Sequence, residues 1–256
     1  LAEAIGNGSI DEFVKQMNEE AKRLGMKHTY FNNPTGISSN GHVSTVGDLA
    51  ILAAALINDY PKYYPLFANK SFKYNNIEQP NRNLLLYRDS SIDGLKTGYS
   101  EGAGYHLAAS SKRNNRRIVS ILAGAESTEA RASESSKLLN WALQAFDTPK
   151  LYNGGEVISQ VKVYKGSTKA VDIGFLDDVY ITIPHDTGKN VKPILETLQP
   201  VLAPIEKGQV LGKLKVMKDG KIIAEKDVVA LTGVEEGSWL RRMWDAIVLW
   251  FKGLFS

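Results

Sequence analysis

The chain has 256 residues, 43% of them hydrophobic and 23% charged, enough for one large domain or two smaller ones. Its net charge of +3 is interspersed rather than massed, so it leaves no electrostatic footprint for a nucleic acid. It has no cysteine, which excludes disulfides, thiolate nucleophiles and thiolate zinc sites.

LAEAIGNG at the start has no initiator Met, no basic segment and no long apolar stretch, so it does not read as a signal peptide. Leu1–Ile5 reads as the end of a helix closed by Gly6-Asn7-Gly8. A helix with no N-cap suggests a chain taken from inside a longer protein. Ser9, with Glu12 three residues on, predicts the cap of a helix that carries Phe13, Met17, Ala21 and Leu24 on one stripe. Gly25 ends it.

HTYFNNPTGISSNGHVS then reads as a loop. Ser44 or Thr45 caps a second helix, VGDLAILAAALINDY, which is apolar nearly all round and therefore expected to be buried. Pro61 stops it. Residues 62–92 read as irregular strands and loops.

Residues 94–98, 104–110 and 117–124 predict three strands, the last two joined by the turn SSKRNNR. The basic run Lys112–Arg117 reads as a solvated hairpin tip. A helix is expected from Thr128 to Phe146, with Ala132, Leu138, Leu139, Ala142 and Phe146 toward the core. Strands followed by a helix, without alternation, imply an antiparallel α+β domain. After Asp147-Thr148-Pro149 the pattern alternates to residue 235, with a strong hairpin turn at Asp219-Gly220. Five to eight short strands of a small all-β domain are expected there. The expected boundaries are 1–148, 149–236 and 237–256.

The tail SWLRRMWDAIVLWFKGLFS is different again. At 100° per residue Trp239, Leu240, Met243, Trp244, Ile247, Trp250, Phe251, Leu254 and Phe255 share one half of a helical wheel. Arg241, Arg242, Asp245 and Lys252 take the other half. A core helix has the same pattern. The aromatic load at an extreme terminus favours an amphipathic helix lying on a membrane surface, and it is too short and charged to span one.

The chemistry begins at Lys96-Thr97-Gly98. On a strand beside a substrate, the lysine supplies positive charge and the threonine a hydroxyl. The glycine lets a ligand backbone lie close. The same box completes a set with Ser-x-x-Lys and Ser-x-Asn in penicillin-binding proteins and class A β-lactamases. Ser-x-x-Lys occurs here once, as Ser159–Lys162. It falls in a strand pattern, whereas the motif needs a helical turn to bring both residues to one face. Ser38-Ser39-Asn40 matches Ser-x-Asn literally but reads as a turn. His28, His42, His106 and His185 are scattered without metal-ligand spacing, so neither a metal nor a cofactor is expected. His106 reads as a packed or surface strand residue.

Six segments, in order, carry a resemblance: FVKQMNEEAKRLGM, FNNPTG, STVGDLAILAAALI, NRNLLL, DGLKTGYSEGAGYHLAAS and ESSKLLNWALQAF. Together with the β-rich second half and the tail, they closely resemble D-alanyl-D-alanine carboxypeptidases of the penicillin-binding protein 5 type. The resemblance implies a partial penicillin-binding, β-lactamase-like transpeptidase domain, then the all-β domain and an anchor helix. In that family the two absent boxes precede the point where Leu1 begins.

The resemblance also implies site roles. Lys96 and Thr97 match a clamp for the terminal carboxylate of a stem pentapeptide or a β-lactam, and Gly98 keeps the strand edge open. The backbone N–H of Tyr99 matches an oxyanion donor, and stands where some members have histidine. Arg131 matches an arginine that helps bind the substrate carboxylate, with an exposed helix arginine as the alternative. The nucleophile and its base have no counterpart here, so the chain alone is expected to be inactive unless an N-terminal fragment supplies them. The implied place is the periplasmic face of the cytoplasmic membrane. The competing reading is a non-catalytic, membrane-bound scaffold module of cell-wall synthesis.

Overall fold

The computed structural model of the chain describes residues 1–114, 116–185 and 191–253. The chain divides into two compact units, Leu1–Leu143 and Gln144–Ser256.

In the first unit, α1 (Ala2–Ile5) is followed by α2 (Ile10–Leu24). The Ser9 hydroxyl caps α2 by accepting the Glu12 N–H at 3.3 Å, and Gly25 closes it with φ 80°. Thr45 caps α3 (Val46–Asp59) by accepting the Asp48 N–H at 3.1 Å.

The expectation that α3 is buried fails. Only Asp48 and Ala53 are buried, while Ile51 and Leu52 are 39% and 36% exposed. The helix packs one side toward β-structure through Ala53, Leu56 and Ile57. An apolar composition all round cannot say which side is covered.

The stretch read as irregular has order of its own. A 3₁₀ turn (Tyr64–Ala68) precedes a hairpin of β1 (Ser71–Tyr74) and β2 (Ile77–Pro80), and α4 (Leu85–Arg88) follows. Asn75 and Asn76 make the hairpin turn with φ 49° and 61°, the left-handed pair that matches strand twist.

Strands β3 (Ile92–Ser100), β4 (Gly104–Arg113) and β5 (Arg116–Ala125) form an antiparallel sheet in the order β3-β4-β5. The turn is shorter than expected, because Ser110 and Ser111 are fully buried within β4. Among the described residues the basic run is a solvated tip only at Lys112 and Asn114, and its arginines are drawn back. Arg113 pairs with Asp89 at 2.5 Å, Arg117 pairs with Asp93 at 2.7 Å, and Arg116 donates to the Leu143 carbonyl. Asp89 at the end of α4 and Asp93 at the start of β3 hold Arg113 and Arg117 back against the sheet. Burial raises the Asp89 pKa, but hydrogen bonds from Ser91 and Arg113 outweigh it and leave the carboxyl below its ordinary value.

Helix α5 (Thr128–Ala145) seats Ala132 and Leu139 against Leu85, Leu86, Ile92, Leu107 and Ala109. Ala53, Tyr64 and Leu95 form a second, smaller cluster. Leu138 is 36% exposed, contrary to expectation, because the buried stripe runs through residues 131, 132, 135 and 139. Ala142 and Phe146 are half-buried.

The described strands of the second unit are β6 (Phe146–Asp147), β7 (Lys150–Tyr152), β8 (Val157–Tyr164), β9 (Ala170–Gly174), β10 (Val179–Tyr180), β11 (Ile183–Pro184), β12 (Val191–Thr197), β13 (Val201–Leu202), β14 (Val210–Lys218) and β15 (Lys221–Ala230). Six form one sheet in the order β12-β14-β15-β9-β8-β13, antiparallel except for the parallel β13–β8 pair. Asp219 and Gly220 turn β14 into β15 with φ 48° and 76°. The core is a single cluster that includes Val161, Ile173, Leu211, Leu214, Val216 and Val228. Ser159 and Lys162 lie on β8, three apart on an extended strand, so they face opposite sides. Helix α6 (Trp239–Gly253) completes the described chain.

Candidate active site

Within the first unit a cleft of about 1090 Å³ opens along β3. Lys96, Thr97, Gly98, Tyr99 and Ser100 form one wall. Tyr105, His106, Arg82 and Arg131 line it further, and the 33–42 loop contributes Thr35, Ser38, Ser39 and His42.

Each wall is locally built. Lys96 is exposed, and its ammonium donates to the Thr97 carbonyl. A Cβ at Gly98 would meet only the His106 ring and Cβ, at 3.6 Å, an ordinary contact. Packing within the protein therefore does not demand glycine at this position. Tyr99 is 58% exposed and stacks on Tyr105 with ring centroids 4.4 Å apart. His106 Nδ1 accepts the Gly124 N–H at 3.2 Å, which leaves Nε2 as the protonated nitrogen of the neutral ring. The strand histidine thus borders the cleft, a position that its alternation with apolar neighbours did not reveal.

Arg131 is not an exposed helix arginine, for it is 4% exposed. Its Nη2 donates to the Arg82 carbonyl at 3.0 Å. Nη1 lies 3.4 Å from the carbonyls of Gly98 and His106. The guanidinium also sits over the Tyr105 ring, 5.6 Å from its centroid. Burial pushes its pKa below the ordinary arginine value; Tyr105 opposes that and Arg82 adds to it. It remains a cation, held by neutral carbonyls behind the KTG strand.

The opposing loop is ordered by asparagine and aspartate side chains. Asn33 Oδ1 accepts the N–H groups of Thr35 and Gly36 at 3.1 and 2.8 Å, and Asn32 Nδ2 donates to the Asn40 carbonyl at 2.6 Å. Asp48 accepts from the Thr29 hydroxyl at 2.7 Å and the His28 N–H at 2.8 Å, tying the loop's base to α3. The Thr29 hydrogen bond is the main reason the Asp48 carboxyl stays below its ordinary pKa. Ser38 and Ser39 border the cleft, but among the described residues neither hydroxyl is hydrogen-bonded to a lysine or histidine. The reading of Ser38-Ser39-Asn40 as a turn agrees with the Ser39 carbonyl accepting the His42 N–H at 3.1 Å.

The cleft thus combines three cations, Lys96, Arg82 and Arg131, with a row of hydroxyls and a strand edge without a Cβ at Gly98. Such a wall can hold a carboxylate and a peptide backbone.

The tail residues lie on α6 of the second unit. Trp239, Leu240, Met243, Trp244, Ile247, Trp250 and Phe251 are all exposed, from 43% to 66%. Leu254 and Phe255 lie outside the described residues. No described helix is long and apolar enough to cross a membrane.

Comparison with known proteins adds the family context. Residues 1–127 match the family model described as D-alanyl-D-alanine carboxypeptidase. Residues 146–236 match the penicillin-binding protein 5 C-terminal domain. The chain is 39% identical to D-alanyl-D-alanine carboxypeptidase DacA of Haemophilus influenzae, over all of this chain and 66% of that protein. It is 36% identical to DacC of Escherichia coli, over 97% of this chain and 64% of that protein. The chain therefore spans about two thirds of the length of these relatives. The solved structure of penicillin-binding protein 5 from Haemophilus influenzae superposes with a TM-score of 0.81 at 38% identity, covering 92% of this chain and 69% of that one.

Proposed function

Because the chain belongs to the D-alanyl-D-alanine carboxypeptidase family, we propose that it forms the substrate-binding wall and membrane mount of a serine-type enzyme that trims the terminal D-alanine from peptidoglycan stem peptides. The observation that carries this reading is the cationic cleft along β3, with Lys96 in front of the strand and buried Arg131 behind it.

The roles follow from charge and position. Lys96 and Thr97 receive the terminal carboxylate of the peptide, or the carboxylate of a β-lactam. Arg131 reinforces them from behind. It is already desolvated, so an arriving anion meets a field that water does not screen. Gly98 leaves room for the ligand backbone where the fold itself would tolerate a side chain. The Tyr99 N–H serves as one oxyanion donor, worth about 3 kcal/mol of transition-state stabilisation.

In the complete enzyme a serine attacks the D-Ala-D-Ala carbonyl, the acyl-enzyme forms as D-alanine leaves, and water releases the shortened peptide. That serine and its lysine base belong to a segment outside this sequence. β-Lactams acylate the same serine. The exposed aromatic face of α6 rests on the periplasmic side of the cytoplasmic membrane.

The deciding experiment is the intact mass of the 28.2 kDa chain before and after excess benzylpenicillin. No adduct is expected for this chain alone. Co-expression with an N-terminal segment carrying Ser-x-x-Lys and Ser-x-Asn is expected to yield an adduct on that segment. An adduct on the 256-residue chain itself would overturn the assignment of the nucleophile to another segment. For the membrane, deleting residues 238–256 should move the protein from vesicle-bound to soluble in flotation; unchanged flotation would sink that part.

A further inference from the structure

Helix α6 has two distinct faces, one exposed and one held by the protein. Its exposed apolar residues occupy one half of the wheel. Arg241, Asp245, Val248 and Leu249, the half-buried ones, cluster on the opposite half. That second face meets the turn between β8 and β9. Asp245 Oδ2 accepts the Lys165 N–H at 2.5 Å, and Lys165 has a left-handed φ of 60°. Arg241 Nη1 donates to the Ser167 carbonyl at 3.2 Å.

The chain entering the helix is joined to the same turn. The Gly237 N–H donates to the Lys165 carbonyl at 2.7 Å. A Cβ on Gly237 would lie 2.6 Å from the Gly166 carbonyl oxygen, so only glycine permits this approach.

We infer that α6 is a clamped mount rather than a free tether: Asp245 and Gly237 lock it to the Lys165–Ser167 turn, so that the second unit meets a lipid bilayer in one fixed orientation. The aromatic face lies against lipid, and the turn is held on the far side of the helix, about one helix diameter (~10 Å) above the interface. The inference rests on the membrane reading of α6. Asp245 is a positioning residue: it touches no lipid, but aims the residues that do. The geometry also gives the acidic residue on this helix a use. A carboxylate that accepts a main-chain N–H makes a charge-assisted bond that orients the whole helix.

The absence of cysteine makes the test clean. Spin labels on Lys169→Cys and Ala246→Cys, both exposed positions, report the distance between the turn and the helix. In the full 256-residue chain this distance distribution is expected to be narrow, both in solution and on phosphatidylglycerol-containing vesicles. Asp245→Ala and, separately, Gly237→Ala should lose the narrow distribution while flotation persists. Asp245→Asn, which keeps a carbonyl acceptor, should retain it. A broad distribution in the parent, or a narrow one in Asp245→Ala, would overturn the clamp. A parent that fails to float would instead overturn the membrane reading and with it the orientation, whatever the width of the distribution.

Discussion

The two units bury different things. In the second, the buried aliphatic side chains form one continuous cluster, and the one phenol buried with them among the described residues belongs to Tyr164. In the first, the apolar core is divided between two smaller clusters, and every buried polar side chain among the described residues lies here: Asp48, Asn83, Ser110, Ser111, Ser120, Arg131 and Ser135. A β-unit that buries almost only hydrocarbon has stability as its main design term. A unit that buries a guanidinium at the wall of a cleft, and an amide nearby in the chain, carries a desolvation cost that the hydrocarbon core of the other does not. The difference agrees, without reference to any motif, with the placement of the proposed site in the first unit.

Substitutions test that contrast. Leu214→Ala empties a site that is 1% exposed at the centre of the second core, and should cost about 2–5 kcal/mol. Urea unfolding followed by circular dichroism should show the second unit melting earlier while the first is unmoved. A common shift of both transitions would mean that the units are not separable.

The next effect appears only in alkali. Burial pushes the Tyr64 pKa up to about 12, Ser110 opposes this by hydrogen bonding, and Asp93 adds to it. The fold therefore favours the neutral phenol. That contribution is fully present below the ordinary tyrosine pKa, near 10, and is lost as pH rises through about 12. It amounts to about 3 kcal/mol at most. Tyr64→Phe should flatten this part of the alkaline stability profile; an unchanged profile would place the dependence elsewhere.

Arg131→Gln sharpens the contrast at the cleft. Once an N-terminal segment restores activity, losing the buried cation should weaken carboxylate binding by about 1.5–3 kcal/mol, read as a raised KM for a D-Ala-D-Ala peptide. A KM equal to the parent's would reduce Arg131 to a structural residue. Thr45→Ala is the smallest step. Removing the cap of α3 should lower the stability of the first unit by about 1 kcal/mol in urea melts and leave the second unchanged.

Local signals were legible wherever one residue type has one mechanical use. Ser9 and Thr45 as caps, Gly25 as a left-handed stop and Asp219-Gly220 as a tight turn are written in short-range chemistry, and the structure places them so. The three strands around Lys96-Thr97-Gly98 and the alternating second half were equally readable, since period two needs only neighbours. The Asn75-Asn76 hairpin carries the same kind of signal, inside a stretch whose overall pattern reads as irregular.

What the tertiary structure alone decided concerns sides and partners. Whether α3 is covered depends on what stands beside it, and its apolar composition is silent on that. The arginines at the β4–β5 turn look solvated until Asp89 and Asp93, more than twenty residues away, are folded against them. Arg131 could be an ordinary helix cation until three distant carbonyls close around it. The face of α6 that meets the β8–β9 turn follows from two distant contacts, Asp245 to Lys165 and Arg241 to Ser167, more than seventy residues apart. Periodicity and turn chemistry are local and survive in the sequence. Desolvation and pairing depend on which distant groups share a neighbourhood, and that is settled only when the chain closes on itself.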